Sequence, residues 1–145
     1  MGVVEDTQPT VLVVNGLRDT IDMLRLVIEA AGFPVAEMQA RDLRMGDADL
    51  ADVVTACGAK VVLFDVAIPY EENWRTVQAC LHDPALAGTN FVLTTTNQRA
   101  LEALVGKTDT LEIIGKPYDL SVIVDAVRRA AAAPGGRIPD SSSRT

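Results

Sequence analysis

Short runs of consecutive apolar residues, many β-branched, alternate along this chain with longer stretches in which apolar positions return every three or four residues. Val11-Leu12-Val13-Val14 has no polar alternation, the mark of a strand buried on both faces, and it stops at Asn15-Gly16. Ile21, Leu24, Val27, Ile28 and Ala31 then share one helical face, with Asp19 or Thr20 expected as cap and Gly32 as stop. Phe33 to Met38 reads as a weaker strand, which Pro34 confines to an edge or to its own first position. Gln39 to Asp47 is polar, carries Arg41 and Arg44, and is long for a connection, so it is expected to be a lid or an insertion. A second helical stripe of Leu50, Val53, Val54 and Cys57 ends at Gly58. Val61-Val62-Leu63-Phe64 is the strongest buried-strand signal and ends at Asp65. Three further helices are expected: one with Trp74, Val77 and Leu81, one with Ala100, Leu101, Leu104 and Val105, and a last one with Val122, Ile123, Ala126, Val127 and Ala130 behind Asp119 as cap. Between them lie the strands Phe91-Val92-Leu93, ending at Thr94-Thr95-Thr96, and Leu111 to Ile114, ending at Gly115-Lys116-Pro117. Five strands each followed by a helix require a parallel sheet, because a parallel crossover must be long enough to hold a helix. The predicted fold class is α/β: a doubly wound five-stranded parallel sheet, (βα)5.

Length and composition agree with one such domain. The chain has 145 residues, 48% of them hydrophobic and 23% charged, enough to bury a full core. Residues 10–133 are expected to form the domain, 1–9 an N-terminal extension, and 134–145, rich in Pro, Gly and Ser, a flexible tail. A formal net charge of −7 gives no electrostatic reason to attract phosphate backbones or anionic lipid, so neither nucleic acid nor a membrane surface is an expected partner. No basic leader precedes an apolar segment and no run approaches the roughly 20 apolar residues of a membrane helix, so the expected location is cytoplasmic. Cys57 and Cys80 lack metal-ligand spacing and read as buried thiols.

Doubly wound sheets carry their sites at the carboxyl ends of the strands. Those ends hold Asn15 and Gly16, Asp65, Thr94 to Thr96, and Lys116. A carboxylate can act as nucleophile toward a phosphoryl group while a lysine and a hydroxyl neutralise and bond its oxygens. A metal site is harder to assemble, since Mg²⁺ asks for hard oxygen ligands including carboxylates, and strand one ends in an amide and a glycine.

Over roughly residues 10–132 the chain resembles the flavodoxin-like receiver domain of two-component response regulators. The resemblance rests on Val61-Val62-Leu63-Phe64-Asp65 with Pro69 four residues on, on Phe91-Val92-Leu93-Thr94-Thr95, on Gly115-Lys116-Pro117-Tyr118, and on Asp83-Pro84-Ala85-Leu86-Ala87-Gly88 before strand four. It implies that Asp65 is the phosphoacceptor position, Lys116 the phosphate-contacting lysine, and Ala67 the residue whose backbone carbonyl ligates Mg²⁺. The switch hydroxyl falls on Thr95 by its distance from Asp65 and on Thr94 by counting back from Lys116; Thr95 is preferred and Thr94 stays open.

Two departures oppose an ordinary phosphorylation switch. The acidic pair that holds the metal in the family is replaced by Asn15 and Gly16, which leaves a weakened Mg²⁺ site of Asn15, Asp65 and the Ala67 carbonyl, and the aromatic usual three residues before the lysine is Ile113. Without neighbouring carboxylates, Asp65 is expected to hold a standing contact with Lys116. The resemblance therefore implies a stand-alone, atypical receiver, a pseudo-receiver, acting mainly as an interaction module. Its expected partner is a histidine kinase or other signalling protein bound through the fourth predicted helix, the fifth strand and the fifth helix, with dimerisation left open. The alternative is a genuine phosphoacceptor that takes a phosphoryl group from a histidine kinase onto Asp65; enzymatic activity would then be limited to its own phosphorylation and dephosphorylation. No output domain is expected after residue 133. His82, Trp74, Arg41, Arg44, Arg128 and Arg129 are expected to be structural or solvated.

Overall fold

The computed structural model describes residues 8–44, 49–106 and 111–134. Most of the expected extension and tail, and the side chain of Arg44, lie outside the described residues. The elements in chain order are β1 (Thr10–Asn15), α1 (Arg18–Ala30), β2 (Val35–Gln39), α2 (Ala40–Arg44), α3 (Leu50–Cys57), β3 (Ala59–Asp65), α4 (Tyr70–Leu81), a 3₁₀ turn at Pro84–Leu86, β4 (Asn90–Thr95), α5 (Gln98–Val105), β5 (Leu111–Gly115) and α6 (Leu120–Ala132). The strands form one parallel sheet in the order β2-β1-β3-β4-β5. This is the predicted α/β doubly wound fold.

The uninterrupted apolar runs are explained by burial on both faces. Leu12, Val14, Val62, Phe64, Phe91 and Leu93 point to one side, where Leu50 and Val54 of α3, Val77 and Cys80 of α4 and Leu101 of α5 cover them. Val11, Val13, Val61, Leu63 and Val92 point to the other, under Ile21, Leu24 and Ile28 of α1 and Ile123, Ala126 and Val127 of α6. Burial of this kind contributes about 1.5–3 kcal/mol for each large apolar side chain. Trp74 packs half-buried against the first of these cores, and burial pushes the Cys80 thiol up to about 12. No helix among the described residues is long and apolar enough to cross a membrane.

Several local expectations need correction. Gln39 to Asp47 begins as the end of β2 followed at once by the single-turn α2, and Asp49 caps α3 by accepting from the Ala51 N–H at 2.9 Å. The α2 turn sets Ala40 and Leu43 against the core, so apolar anchors within a polar stretch decided its structure. Neither Asp19 nor Thr20 caps α1, which starts earlier, at Arg18. Its approach is fixed instead by Asn15, whose Oδ1 accepts from the Leu17 N–H at 3.0 Å in an Asx turn. Asp119 occupies the cap position of α6 without a side-chain cap bond. Pro34 stands just before β2, which is an edge strand.

At the opposite pole, the carboxyl end of α6 is held by two strands. Lys60 Nζ donates to the carbonyls of Ala131 (3.2 Å) and Ala133 (3.0 Å), and Asn90 Nδ2 donates to that of Ala130 (2.7 Å). Carbonyls left without partners at a helix end are thereby satisfied.

Candidate functional site at the carboxyl edge of the sheet

Parallel pairing decides which strand-end side chains meet. Asp65 pairs with Thr94, and Thr95 pairs with Gly115. Side chains alternate along a strand while register partners share a face. Asp65 and Thr94 therefore lie on the α1/α6 side, Thr95 turns to the other, and Lys116, one residue past Gly115, returns to the side of Asp65. Asn15 follows Val14, so it too faces the Asp65 side.

The contacts follow that geometry. Asp65, with 9% of its surface exposed, accepts on Oδ1 a hydrogen bond from Thr94 Oγ1 at 2.7 Å, and Lys116 Nζ lies 2.7 Å from the same oxygen. The preferred Thr95 is thus not the hydroxyl against Asp65: it is fully buried, and its Oγ1 accepts from the Asn97 N–H at 3.1 Å, shaping the turn into α5. A count from Asp65 alone is one residue off, and a one-residue step moves a side chain to the opposite face. The expected contact between Asp65 and Lys116 is present. The ladder continues past the strands, with the Val66 N–H donating to the Thr94 carbonyl and the Lys116 N–H to the Thr95 carbonyl, both at 2.8 Å. The Ile68–Pro69 and Lys116–Pro117 peptides are cis.

Three residues of this edge carry no expected role. Tyr118 packs with the α1/α6 core, and its phenol is shifted upward by burial first and then by the Asp65 charge. Tyr70 Oη and Thr96 Oγ1 are 3.1 Å apart, linking the start of α4 to the loop after β4. Asn73, one turn into α4, donates from Nδ2 to the carbonyls of Ala67 (2.7 Å) and Pro69 (3.2 Å). Only the Asn73 contact had a sequence signal, since an Asn in a first helical turn readily bonds nearby backbone.

Each group a receiver would offer to Mg²⁺ already has a partner within the protein, with both described contacts of Asp65 falling on Oδ1. Asn15 Oδ1 holds the Leu17 N–H, the Ala67 carbonyl holds the Asn73 amide, and Asp65 Oδ1 holds an ammonium and a hydroxyl. Asp65 is the one carboxylate among these donors, and the described residues contain no group of three or more His, Cys, Asp or Glu placed to hold a metal ion. Mg²⁺ gives up water reluctantly and needs anionic oxygen in return. This donor set does not fit it.

Arg41, His82 and Arg128 are exposed, in keeping with solvated roles, while Arg129 pairs with Glu112 at 2.5 Å, tying α6 to the edge strand β5. By sequence the chain matches no family profile and no curated protein. By structure it is similar to a signal receiver domain of two-component signal transduction (histidine kinase) from Clostridium thermocellum, with a TM-score of 0.69 at 16% identity over 86% of this chain and 98% of that one. A response regulator receiver domain (CheY-like) from Methylobacillus flagellatus gives 0.63 at 16% identity over 85% and 98%. A response regulator from Thermotoga maritima gives 0.61 at 17% over 87% and 99%. The fold is that of CheY-like receiver domains.

Proposed function

We propose that this domain is an atypical receiver of two-component signalling that acts mainly as a protein–protein interaction module, its phosphoacceptor position held by internal contacts. The observation that carries the reading is the engagement of Asp65 Oδ1 by both Lys116 and Thr94, beside a strand-one end of Asn15 and Gly16 that supplies no carboxylate. With Lys116 as counter-ion, the aspartate has no need of a bound cation.

The partner surface is α5, β5 and α6, and the partner a histidine kinase or other signalling protein. Support comes from the sheet order, which sets β5 at the edge of the sheet among the described residues, and from exposed Arg99, Glu102 and Ala103 on α5.

A second reading has its own observation. Asp65, Thr94 and Lys116 stand on one face at hydrogen-bond distance, the set a phosphoacceptor needs, and both described contacts fall on Oδ1 rather than Oδ2. The two readings part on one experiment. The full chain is incubated with acetyl phosphate and Mg²⁺ and its intact mass is measured beside Asp65→Asn. The interaction-module reading expects no phosphoryl adduct on either protein; an adduct on the wild type that is missing from Asp65→Asn would establish the phosphoacceptor.

A further inference from the structure

Asn73 does more than finish a helical turn. Its amide nitrogen Nδ2 donates to the Ala67 carbonyl at 2.7 Å and to the Pro69 carbonyl at 3.2 Å. The Pro69 carbonyl belongs to the first turn of α4, where the Asn73 N–H also reaches it at 3.3 Å, so that bond is local to the helix. The Ala67 carbonyl belongs to the loop after Asp65, outside any helix. Its side-chain bond crosses from α4 to that loop and holds the loop by the oxygen a cation would have to share. An N–H placed there carries partial positive charge toward any incoming ion, so the carbonyl is both occupied and electrostatically shielded.

No steric obstacle stands at position 16, just past β1. A Cβ added at Gly16 meets no atom within 4 Å, its φ lies outside the left-handed region, and the residue is exposed. Asn15 already has the shape of an aspartate. A carboxyl pair at positions 15 and 16 is therefore sterically free, and restoring it tests whether missing charge is the sole obstacle to a cation.

We infer that Asn73 is a positioning residue, a latch that withholds the Ala67 carbonyl from divalent cations, so that the edge is closed to metal by two independent features: the lost acidic pair and this amide. The inference rests on the receiver reading of the edge, and it deepens that reading by giving a residue on α4 control over it. Tyr70, through its contact with Thr96, anchors the same end of α4 to the loop after β4.

The test is a gain of binding. Four full-length proteins are titrated with MgCl₂ and, separately, MnCl₂: the wild type, Asn15→Asp/Gly16→Asp, Asn73→Ala, and the triple combination. Trp74, the only tryptophan and the neighbour of Asn73, reports by fluorescence, with calorimetry as the second readout. Only the triple variant is expected to saturate in the millimolar range, with at least tenfold weaker or undetectable binding in the other three. The latch is refuted if the acidic pair alone binds as tightly as the triple variant, or if the triple variant, folded by its amide spectrum, fails to bind. Saturable binding by the wild type would instead overturn the receiver reading with an impaired metal site, so the two failures are told apart. Asn73→Leu, of similar size, without hydrogen-bond donors and favourable in a helix, replaces Asn73→Ala should the latter not fold.

Discussion

Lys116→Met is the substitution that strains the site most informatively. It keeps most of the side-chain length and removes the ammonium 2.7 Å from Asp65 Oδ1, leaving a carboxylate with 9% exposure and a single neutral donor, Thr94. Stranding one partner of a fully buried pair costs about 3–5 kcal/mol. Here the lysine side chain is itself 26% exposed, so water reaches the vacated position and the cost falls to about 2–3 kcal/mol. In a chain of 145 residues that corresponds to a fall in Tm of roughly 5–10 °C. Asp65→Asn should be milder, about 1 kcal/mol, because its amide oxygen still accepts from Thr94 and the released lysine turns to solvent. The asymmetry yields a sharper expectation: in the Lys116→Met background, Asp65→Asn should restore stability, since it removes the stranded charge. Urea unfolding followed by Trp74 fluorescence and by far-UV circular dichroism measures all four proteins, and coincident curves license the two-state treatment. Additive single-variant effects, or Lys116→Met no worse than Asp65→Asn, would show a screened surface pair and refute a standing contact.

Thr94→Val should destabilise by about 1–2 kcal/mol in urea unfolding, because a buried charged acceptor loses its hydroxyl partner. Thr95→Val should leave that contact intact and instead loosen the start of α5, read as faster amide exchange at Asn97. Glu37 receives hydrogen bonds from Arg18 and Arg25, which hold its carboxyl below the ordinary value of 4.5. Its contribution is present above that value and is lost as pH falls through the folded one, so the stability difference between wild type and Glu37→Gln should shrink below pH 4.5 and vanish in stronger acid. Tyr118 is raised from 10.0, so a late phenolate transition should disappear in Tyr118→Phe and persist, only modestly earlier, in Asp65→Asn, because burial outweighs the aspartate charge. A Tyr118 phenolate transition at or below pH 10 contradicts this.

The parallel sheet was readable because its strands are buried on both faces and so appear as unbroken apolar runs, with Gly58 closing α3 in the left-handed conformation at φ 67°. The site was readable as a set of strand ends. What the sequence concealed depends on register and on single side chains turning back to the backbone. Thr94 and Thr95 are chemically identical, and only the pairing of Asp65 with Thr94 separates them. Asn15 suggested a residual ligand, yet its oxygen is spent on the Leu17 N–H; Asn73 carries no motif, and its role exists only because α4 brings it to within 2.7 Å of the Ala67 carbonyl. Ala40 and Leu43 are too few to make a periodic signal for the α2 turn.

Asp65 is held from within the protein, by Lys116 and Thr94 on Oδ1. An amide NMR titration of the full chain with Mg²⁺ and then beryllofluoride, which mimics a phosphoryl group on aspartate, tests it most directly. A well-dispersed spectrum is expected, with no saturable shifts at millimolar Mg²⁺ and none on adding beryllofluoride. Saturable shifts centred on Asp65 and spreading through Lys116 into β5 and α6 would contradict it.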